Sequence, residues 1–357
     1  MSTLLVMAGG TGGHVYPALA VAELLRSWGV KIVWLGTRRG LEAQVVPAAG
    51  FDVEWVSIRG VRGAGWTRLV AMPARMLIAM LQTCRAILRH RPDALLGMGG
   101  FVSAPGGLVA WLLRRPLLIH EANAIAGSTN RFVARLATLV MIGFPGSLSG
   151  SHVHYVGNPV RADIAALPEP SVRLAHRHGA VRLLVLGGSQ GAATLNRVLP
   201  SAIASLPPDQ RPSIWHQSGR DRELEVERAY RQLGVSARVE AFIDTMADAY
   251  AWADLVLCRA GAMTVAELTA VGIGAILVPY PHAVDDHQTA NALFLQERGA
   301  ATMLPDQSLN AAQLCQVLQP VLENRSRLAE MARSARHLAR PKATEDVARL
   351  CMETLHA

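Results

Sequence analysis

Two glycine runs sit between apolar runs and helical patterns, and they carry the residue types with the clearest chemistry. Gly9-Gly10-Thr11-Gly12-Gly13-His14 follows Leu4-Leu5-Val6, and Gly187-Gly188-Ser189-Gln190-Gly191 follows Leu183-Leu184-Val185-Leu186. A glycine loop that opens a helix turns backbone N–H groups outward at the helix's positive end, which suits phosphate. The same glycines serve tight turns and close helix–strand packing, so the loops alone leave both readings open. His14 adds a side chain that ordinarily titrates near neutrality and can take up a proton. Two further clusters hold polar or glycine tips: Gly97-Met98-Gly99-Gly100-Phe101, and His120-Glu121-Ala122-Asn123.

The first loop is a poor dinucleotide fingerprint. From Gly10 it reads GTGGHV, which misses the G-x-G-x-x-G spacing, and the next apolar run ends in Thr37-Arg38-Arg39 with no carboxylate before Glu42. A ribose-binding acid at that strand end is therefore missing. An NADP-dependent reductase using the arginines is kept as an alternative.

The second half offers a better nucleotide seat. In CRAGAMTVAEL, Glu267 stands in the first turn of a helix that follows a strand. It can accept both ribose hydroxyls, or it can close a capping box with Thr264; the stretch leaves the two equally open. Gln288 and Asn291 lie one helical turn apart, and paired amides suit sugar hydroxyls. The Asp285-Asp286 pair just before them also reads as helix-dipole compensation.

These groups need a scaffold that brings loops to one edge. Short apolar runs alternate with helix-period segments along the chain, the pattern of an α/β protein with helix-covered parallel sheets. The runs predict strands over 3–7, 31–35, 53–56, 94–96, 117–119, 139–142 and 154–156, then 182–186, 213–216, 238–241, 255–257, 275–278 and 301–303. The strand–glycine loop–helix opening recurs in each half, and Gly157-Asn158-Pro159 breaks the pattern between them. We therefore expect two domains, 1–158 with a C-terminal helix of about 341–357, and 159–340. At 357 residues the length suits that division. In a parallel sheet His14, Gly99, Gly100, His120, Glu121 and Asn123 would share one edge and line one wall.

The net charge of +8 favours an anionic partner without choosing it. Cys84, Cys258, Cys315 and Cys351 show no ligand spacing, which argues against structural zinc and for reduced thiols. No Asp-x-Asp pair stands out, so we expect no dedicated metal ligands and no cofactor. The N-terminus reads as a first strand, and no apolar run is long enough to span a bilayer. From Arg59 to Arg91 the chain is rich in arginine, lacks acids, and carries Trp66, Leu69, Val70, Met72, Leu77, Met80 and Leu81. Such a basic amphipathic segment suits an anionic membrane surface; a solvated core helix is the bland alternative. Little aromatic interleaving and no nucleic-acid motif argue against nucleic acid, although a non-catalytic membrane or nucleic-acid adaptor is a third class.

MAGGTGGH, GMGGFVSAPGG, HEANAIAG, VGNPVR, GGSQGA, CRAGAMTVAE and PYPHAVDDHQTANA, in this order over nearly the whole chain, closely resemble the MurG family of bacterial N-acetylglucosaminyltransferases. The resemblance implies a GT-B fold, two Rossmann-like domains with parallel sheets facing across a cleft. It implies inverting transfer of N-acetylglucosamine from UDP-N-acetylglucosamine to the muramyl C4 hydroxyl of lipid I, giving lipid II for peptidoglycan. It further implies a peripheral enzyme on the cytoplasmic face of the bacterial inner membrane, where Arg59–Arg91, helped by Trp111, would meet anionic lipids, and partners among cell-wall synthesis proteins.

Carried over by position, donor contacts fall on Ser189 (phosphate), Ile243 (uracil, through its backbone), Ala262, Met263, Thr264, Val265, Ala266 and Glu267 (uridine, with Glu267 on the ribose), and Gln288 (sugar hydroxyls). Thr11, Gly12, Gly13, Asn123 and Arg161 would complete that site. Gly9, Gly10, Gly99, Gly100 and Phe101 correspond to acceptor pyrophosphate loops. Ala122 departs from the glutamine common in the family. For the general base, His14 is the first candidate and Glu121 the second.

Overall fold

A computed structural model describes residues 2–58, 72–188 and 191–356. Ser189 and Gln190 of the second glycine loop, and Trp66, Leu69 and Val70 of the basic segment, lie outside the described residues. The chain divides into two compact units, Met1–Arg161 with Pro341–Ala357, and Ala162–Arg340.

The first unit is built on β1 (Thr3–Met7), β2 (Lys31–Gly36), β3 (Asp52–Trp55), β4 (Ala94–Gly97), β5 (Leu117–Glu121), β6 (Leu139–Ile142) and β7 (Val153–Tyr155). Between them lie α1 (Gly12–Ser27), α2 (Glu42–Ala48), α3 (Met72–His90), α4 (Ser103–Leu112) and α5 (Ser128–Ala134). The strands form a parallel sheet in the order β3-β2-β1-β4-β5-β6-β7. β1 is central: Val6 pairs with Trp34 on one side and Leu96 on the other. All five of its residues are buried, as a parallel strand covered on both faces requires. The strand order reverses between β1 and β4, and the loops after these two strands are the first glycine run and Met98–Phe101. That reversal is where open α/β sheets take ligands.

The second unit holds β8 (Arg182–Leu186), β9 (Ser213–Gln217), β10 (Arg238–Glu240), β11 (Leu255–Cys258), β12 (Gly274–Leu277) and β13 (Ala301–Met303), in the order β10-β9-β8-β11-β12-β13, again all parallel. Its helices are α6 (Ala162–Ala165), α7 (Pro170–Arg173), α8 (Ala193–Ala204), α9 (Glu223–Gln232), α10 (Met246–Trp252), α11 (Ala262–Val271), α12 (His287–Gln296), α13 (Ala311–Leu322) and α14 (Arg325–His337). The last helix, α15 (Ala343–His356), returns to the first unit and packs on α1. Val347, Ala348 and Cys351 recur on one of its faces and join the core formed by Leu4, Val6, Leu25 and Leu96.

Helix α3 has two apolar faces. Ala79, Thr83, Ala86 and Ile87 are buried against the unit, whereas Leu77, Ile78, Leu81 and Leu88 are 47–63% exposed on the outward side. α3 packs beside α4 and α4 beside α5, whose outward residues include Trp111, Leu112 and Phe132, all about half exposed.

Candidate functional site

At the carboxyl edge of the first sheet, Gly10 takes a left-handed φ of +97° and releases the chain into α1. Thr11 caps that helix through its backbone: its carbonyl accepts from the N–H of His14 at 3.1 Å and of Val15 at 3.2 Å. The Thr11 side chain makes no capping bond, and the first turn of α1 has no acid. No acid of its own thus compensates the positive end of α1.

Glu42 organises this loop from beneath. Fully buried, its carboxylate accepts from Gly10 N at 2.8 Å, Thr37 N at 2.9 Å and Thr37 Oγ1 at 2.7 Å. A Cβ on Gly9 would stand 2.7 Å from its Oε1, one on Gly36 2.9 Å from its Cγ, and one on Gly40 would also collide with it. Glu42 is therefore an internal tie between the β1 and β2 loops, and the Gly10 N–H is committed to it. In the sequence, this role is signalled by Gly36 and Gly40 just upstream of a lone carboxylate.

The loop after β4 closes on the first one. Gly99 (φ +102°) lies directly against the His14 ring, and Gly100 (φ +86°) against the Gly9 carbonyl, so neither position has room for a side chain. His14, Gly9, Gly99 and Gly100 are brought together, with Phe101 49% exposed beside them. Arg161 places its guanidinium 5.7 Å from the ring centroid of Tyr16, on the first helical turns beyond Gly12 and Gly13.

Two expected wall residues point inward instead. Glu121 is 2% exposed and accepts from Asn123 N (2.8 Å), Asn123 Nδ2 (3.2 Å), Gly127 N (3.1 Å) and Asn130 Nδ2 (2.9 Å). With its lone pairs engaged in shaping its own loop, it is not placed to take a substrate proton. His120 is 1% exposed, with Nε2 2.9 Å from the Gly157 carbonyl. Burial lowers its pKa below the ordinary value, against the opposing influence of Gly157 and Glu121 and with that of His14. Both sit on β5 itself, where alternation sends them to opposite faces of a sheet covered on both, so neither reaches the surface. Asn123, two residues past the end of β5, is half-buried.

In the second unit the glycine loop repeats the arrangement. Gly188 (φ +79°) and Gly191 (φ +74°) make the turn, the Gly191 N–H donates to Gly188 O at 3.0 Å, and α8 starts without a side-chain cap or an acid. Gln217, at the end of β9 and 4% exposed, donates from Nε2 to Gly188 O and accepts the Ile243 N–H at Oε1, each at 3.1 Å. Ile243 is 1% exposed, and with its N–H taken only its carbonyl can serve an outside partner.

Helix α11 begins at Ala262 behind Gly261, several residues before the expected start, and this overturns the capping box. Thr264 and Glu267 lie inside the helix, whose N-cap is a glycine with no side chain to offer. Glu267 stands in the second turn, half-buried, and its Oε2 accepts from the Tyr250 hydroxyl at 2.9 Å. Tyr250 is fully buried on α10 and so holds the carboxylate in one orientation. Ala262 and Val265 are buried; Met263, Thr264 and Ala266 are intermediate.

The expected Gln288–Asn291 pair is separated by burial. Asn291 is fully buried and donates to Ala260 O at 3.1 Å, whereas half-buried Gln288 accepts the Tyr280 N–H at 2.9 Å. Gln288 therefore has its Nε2 to donate, and Asn291 joins α12 to the β11 loop. Tyr280 is in turn held near Arg259, which donates to Val278 O and Pro279 O and pairs with Asp306 at 2.5 Å.

Glycine loops at the carboxyl ends of both central strands, helix starts free of acids, a histidine and a tethered carboxylate form the inventory for a phosphorylated, hydroxyl-bearing substrate and proton transfer. Among the described residues no group of three or more His, Cys, Asp and Glu side chains is arranged for a metal ion.

Comparison with known proteins agrees with this inventory. Residues 4–142 match the glycosyltransferase family 28 N-terminal domain, and residues 182–347 its C-terminal domain. The UDP-N-acetylglucosamine–N-acetylmuramyl-(pentapeptide) pyrophosphoryl-undecaprenol N-acetylglucosamine transferase of Nitrosococcus oceani is 54% identical over 98% of both chains. Its counterpart in Ralstonia nicotianae is 51% identical over 99% of this chain and 97% of its own. The crystal structure of Acinetobacter baumannii MurG superposes with a TM-score of 0.85 at 38% identity, covering 99% of this chain and all of that one. The calicheamicin glycosyltransferase CalG4 shares the fold at 19% identity, with a TM-score of 0.71 over 100% of this chain and 99% of its own. The chain is thus a glycosyltransferase with the two Rossmann-like domains of the GT-B fold, and it belongs to the MurG family within glycosyltransferase family 28.

Proposed function

We propose that the protein moves N-acetylglucosamine from UDP-N-acetylglucosamine to the C4 hydroxyl of the muramyl sugar of lipid I, with inversion, forming the β-1,4 linkage of lipid II and releasing UDP. The observation that carries this reading is the full-length similarity to relatives named for that transfer. The second unit seats the donor: the glycine loop around Ser189 and the start of α8 take the pyrophosphate, the Ile243 carbonyl meets the base, and Ala262–Glu267 borders the uridine with Glu267 on the ribose. Gln288 donates to a sugar oxygen. In the first unit Gly9, Gly10, Gly99, Gly100 and Phe101 receive the acceptor's pyrophosphate, and Thr11, Gly12, Gly13, Asn123 and Arg161 complete the donor contacts.

The acceptor O4 attacks the anomeric carbon as the bond from that carbon to the β-phosphate oxygen breaks, and UDP leaves with the electron pair. Charge grows on the leaving pyrophosphate, where acid-free helix starts stabilise it. The O4 proton passes to His14, which packing against Gly99 holds in place. Glu121 is left to hold the 122–127 loop.

The same reading places the protein peripherally on the cytoplasmic face of the inner membrane. Leu77, Ile78, Leu81, Leu88, Trp111 and Phe132 would enter the lipid boundary while Arg75, Arg85, Arg89, Arg114 and Arg131 meet anionic headgroups. Among the described residues no helix is long and apolar enough to cross a membrane.

Purified protein incubated with UDP-N-acetylglucosamine and a lipid I analogue should release UDP and form the disaccharide. Absence of both products refutes the proposal, and a melting temperature raised by NADPH but not by UDP would favour the reductase alternative.

A further inference from the structure

Gln217 has a geometry that none of the donor contacts above accounts for. It ends β9, which lies between β8 and β10 in the sheet, and the loops leaving those two neighbours carry Gly188 and Ile243. Its buried amide joins them, Nε2 to Gly188 O and Oε1 to Ile243 N. The assignment of the two amide ends is forced, because a carbonyl only accepts and a backbone N–H only donates. The adjoining Gly187 N–H also approaches the Gln217 carbonyl, at 3.4 Å.

The surroundings keep this residue in place. Next along the chain, Ser218 N donates to Glu240 O at 2.9 Å and Gly219 N to Ala241 O at 3.1 Å, fastening the β9 and β10 ends together. Asn196 of α8 donates to Ser218 O at 2.9 Å and stands 3.1 Å from His216 Nε2, while His216 Nδ1 lies 3.0 Å from the Tyr230 hydroxyl. Burial pushes the His216 imidazole down to about 3, so this support is uncharged near neutrality.

We propose that Gln217 is a positioning residue for the nucleotide donor: one amide sets the separation between the loop that takes the pyrophosphate and the backbone that takes the base. This rests on the donor seat proposed above and deepens it. Near neutrality a primary amide meets this need, because it offers a donor and an acceptor side by side in one small planar group, which an ionised carboxylate does not. Leucine removes both ends, and an ionised glutamate keeps the acceptor but turns an oxygen toward the Gly188 carbonyl.

The test measures UDP binding by titration calorimetry, and donor KM and kcat, for the full chain and for Gln217→Leu and Gln217→Glu, each compared with the unaltered protein at the same pH. Gln217→Leu should weaken UDP binding and raise donor KM about 10- to 100-fold at every pH, with saturated kcat within about threefold. Gln217→Glu should match that loss near about pH 8 and recover toward unaltered affinity near about pH 5, because a protonated carboxyl again donates to Gly188 O. A purely electrostatic effect would spare the leucine variant, and a purely structural one would lower kcat without the pH-dependent rescue; either result overturns the inference. If Gln217→Leu does not fold, the pH response of Gln217→Glu decides alone, and a flat response overturns it. If the unaltered protein binds no UDP, the functional reading itself falls, and this inference with it.

Discussion

Replacing Glu42 with alanine should unfasten the first glycine loop, and the cost follows from its bonds. The substitution strips a fully buried carboxylate from the Gly10 N–H, the Thr37 N–H and the Thr37 hydroxyl. The hydroxyl can rotate to another acceptor, but the two backbone donors cannot. At about 1.5–3 kcal/mol for each hydrogen bond to a charged group, losing the two backbone bonds costs about 3–6 kcal/mol, a large part of a typical domain's stability. A unit of this size shifts by about 2–4 °C per kcal/mol, so its melting should fall by roughly 10 °C. Calorimetry of the full chain with hydrogen exchange over 9–14 and 36–42 reads this directly, and exchange assigns the loss to the first unit. Glu42→Gln should lie between, since one oxygen survives while the amide N–H faces a donor. A Glu42→Ala protein that melts within about 1 °C of the original, with unchanged exchange, would refute the idea that the carboxylate shapes the loop.

Three further outcomes are expected. His216 is held neutral with a pKa near 3, below its ordinary 6.5, so its contribution is intact above that ordinary value and is lost as pH falls toward 3. Urea unfolding of the second unit should therefore lose about 1.4 kcal/mol per pH unit below about 6.5 through this group, and His216→Phe should show a shallower slope; equal slopes would contradict it. Glu267→Ala should raise donor KM about 10- to 100-fold and Tyr250→Phe about three- to tenfold with kcat preserved, and an unaffected Tyr250→Phe KM would end the argument that the hydroxyl orients the carboxylate. Changing Leu77, Leu81 and Leu88 together to aspartate should abolish flotation with anionic liposomes, given about 1.5–3 kcal/mol for each buried leucine, without altering UDP affinity; undiminished flotation would remove the docking surface.

Much of the scaffold was legible because parallel strands covered on both faces must be continuous apolar runs, and the glycines between strand and helix mark where the chain turns at the carboxyl edge. β1, β4, β8 and their loops follow from that rule alone. Loop residues whose role is set by backbone geometry, such as Gly99 and Gly191, were legible for the same reason.

What the sequence determined by itself was therefore the fold class, the pairing of a glycine loop with each central strand, and, through seven ordered motifs, the family. Tertiary structure alone decided which polar side chains face outward. Glu121 and His120 turn inward because they end a strand, and Asn291 is buried because α12 packs near the β11 loop. Glu267 is tethered to a tyrosine seventeen positions away in the chain. Glu42 and Gln217 stayed unread because their partners come from loops distant in sequence, Gly10 for one and Gly188 and Ile243 for the other. Spacing reports the period of an element, but hydrogen-bond partners are chosen by which strands lie side by side, and only the folded sheet order sets that.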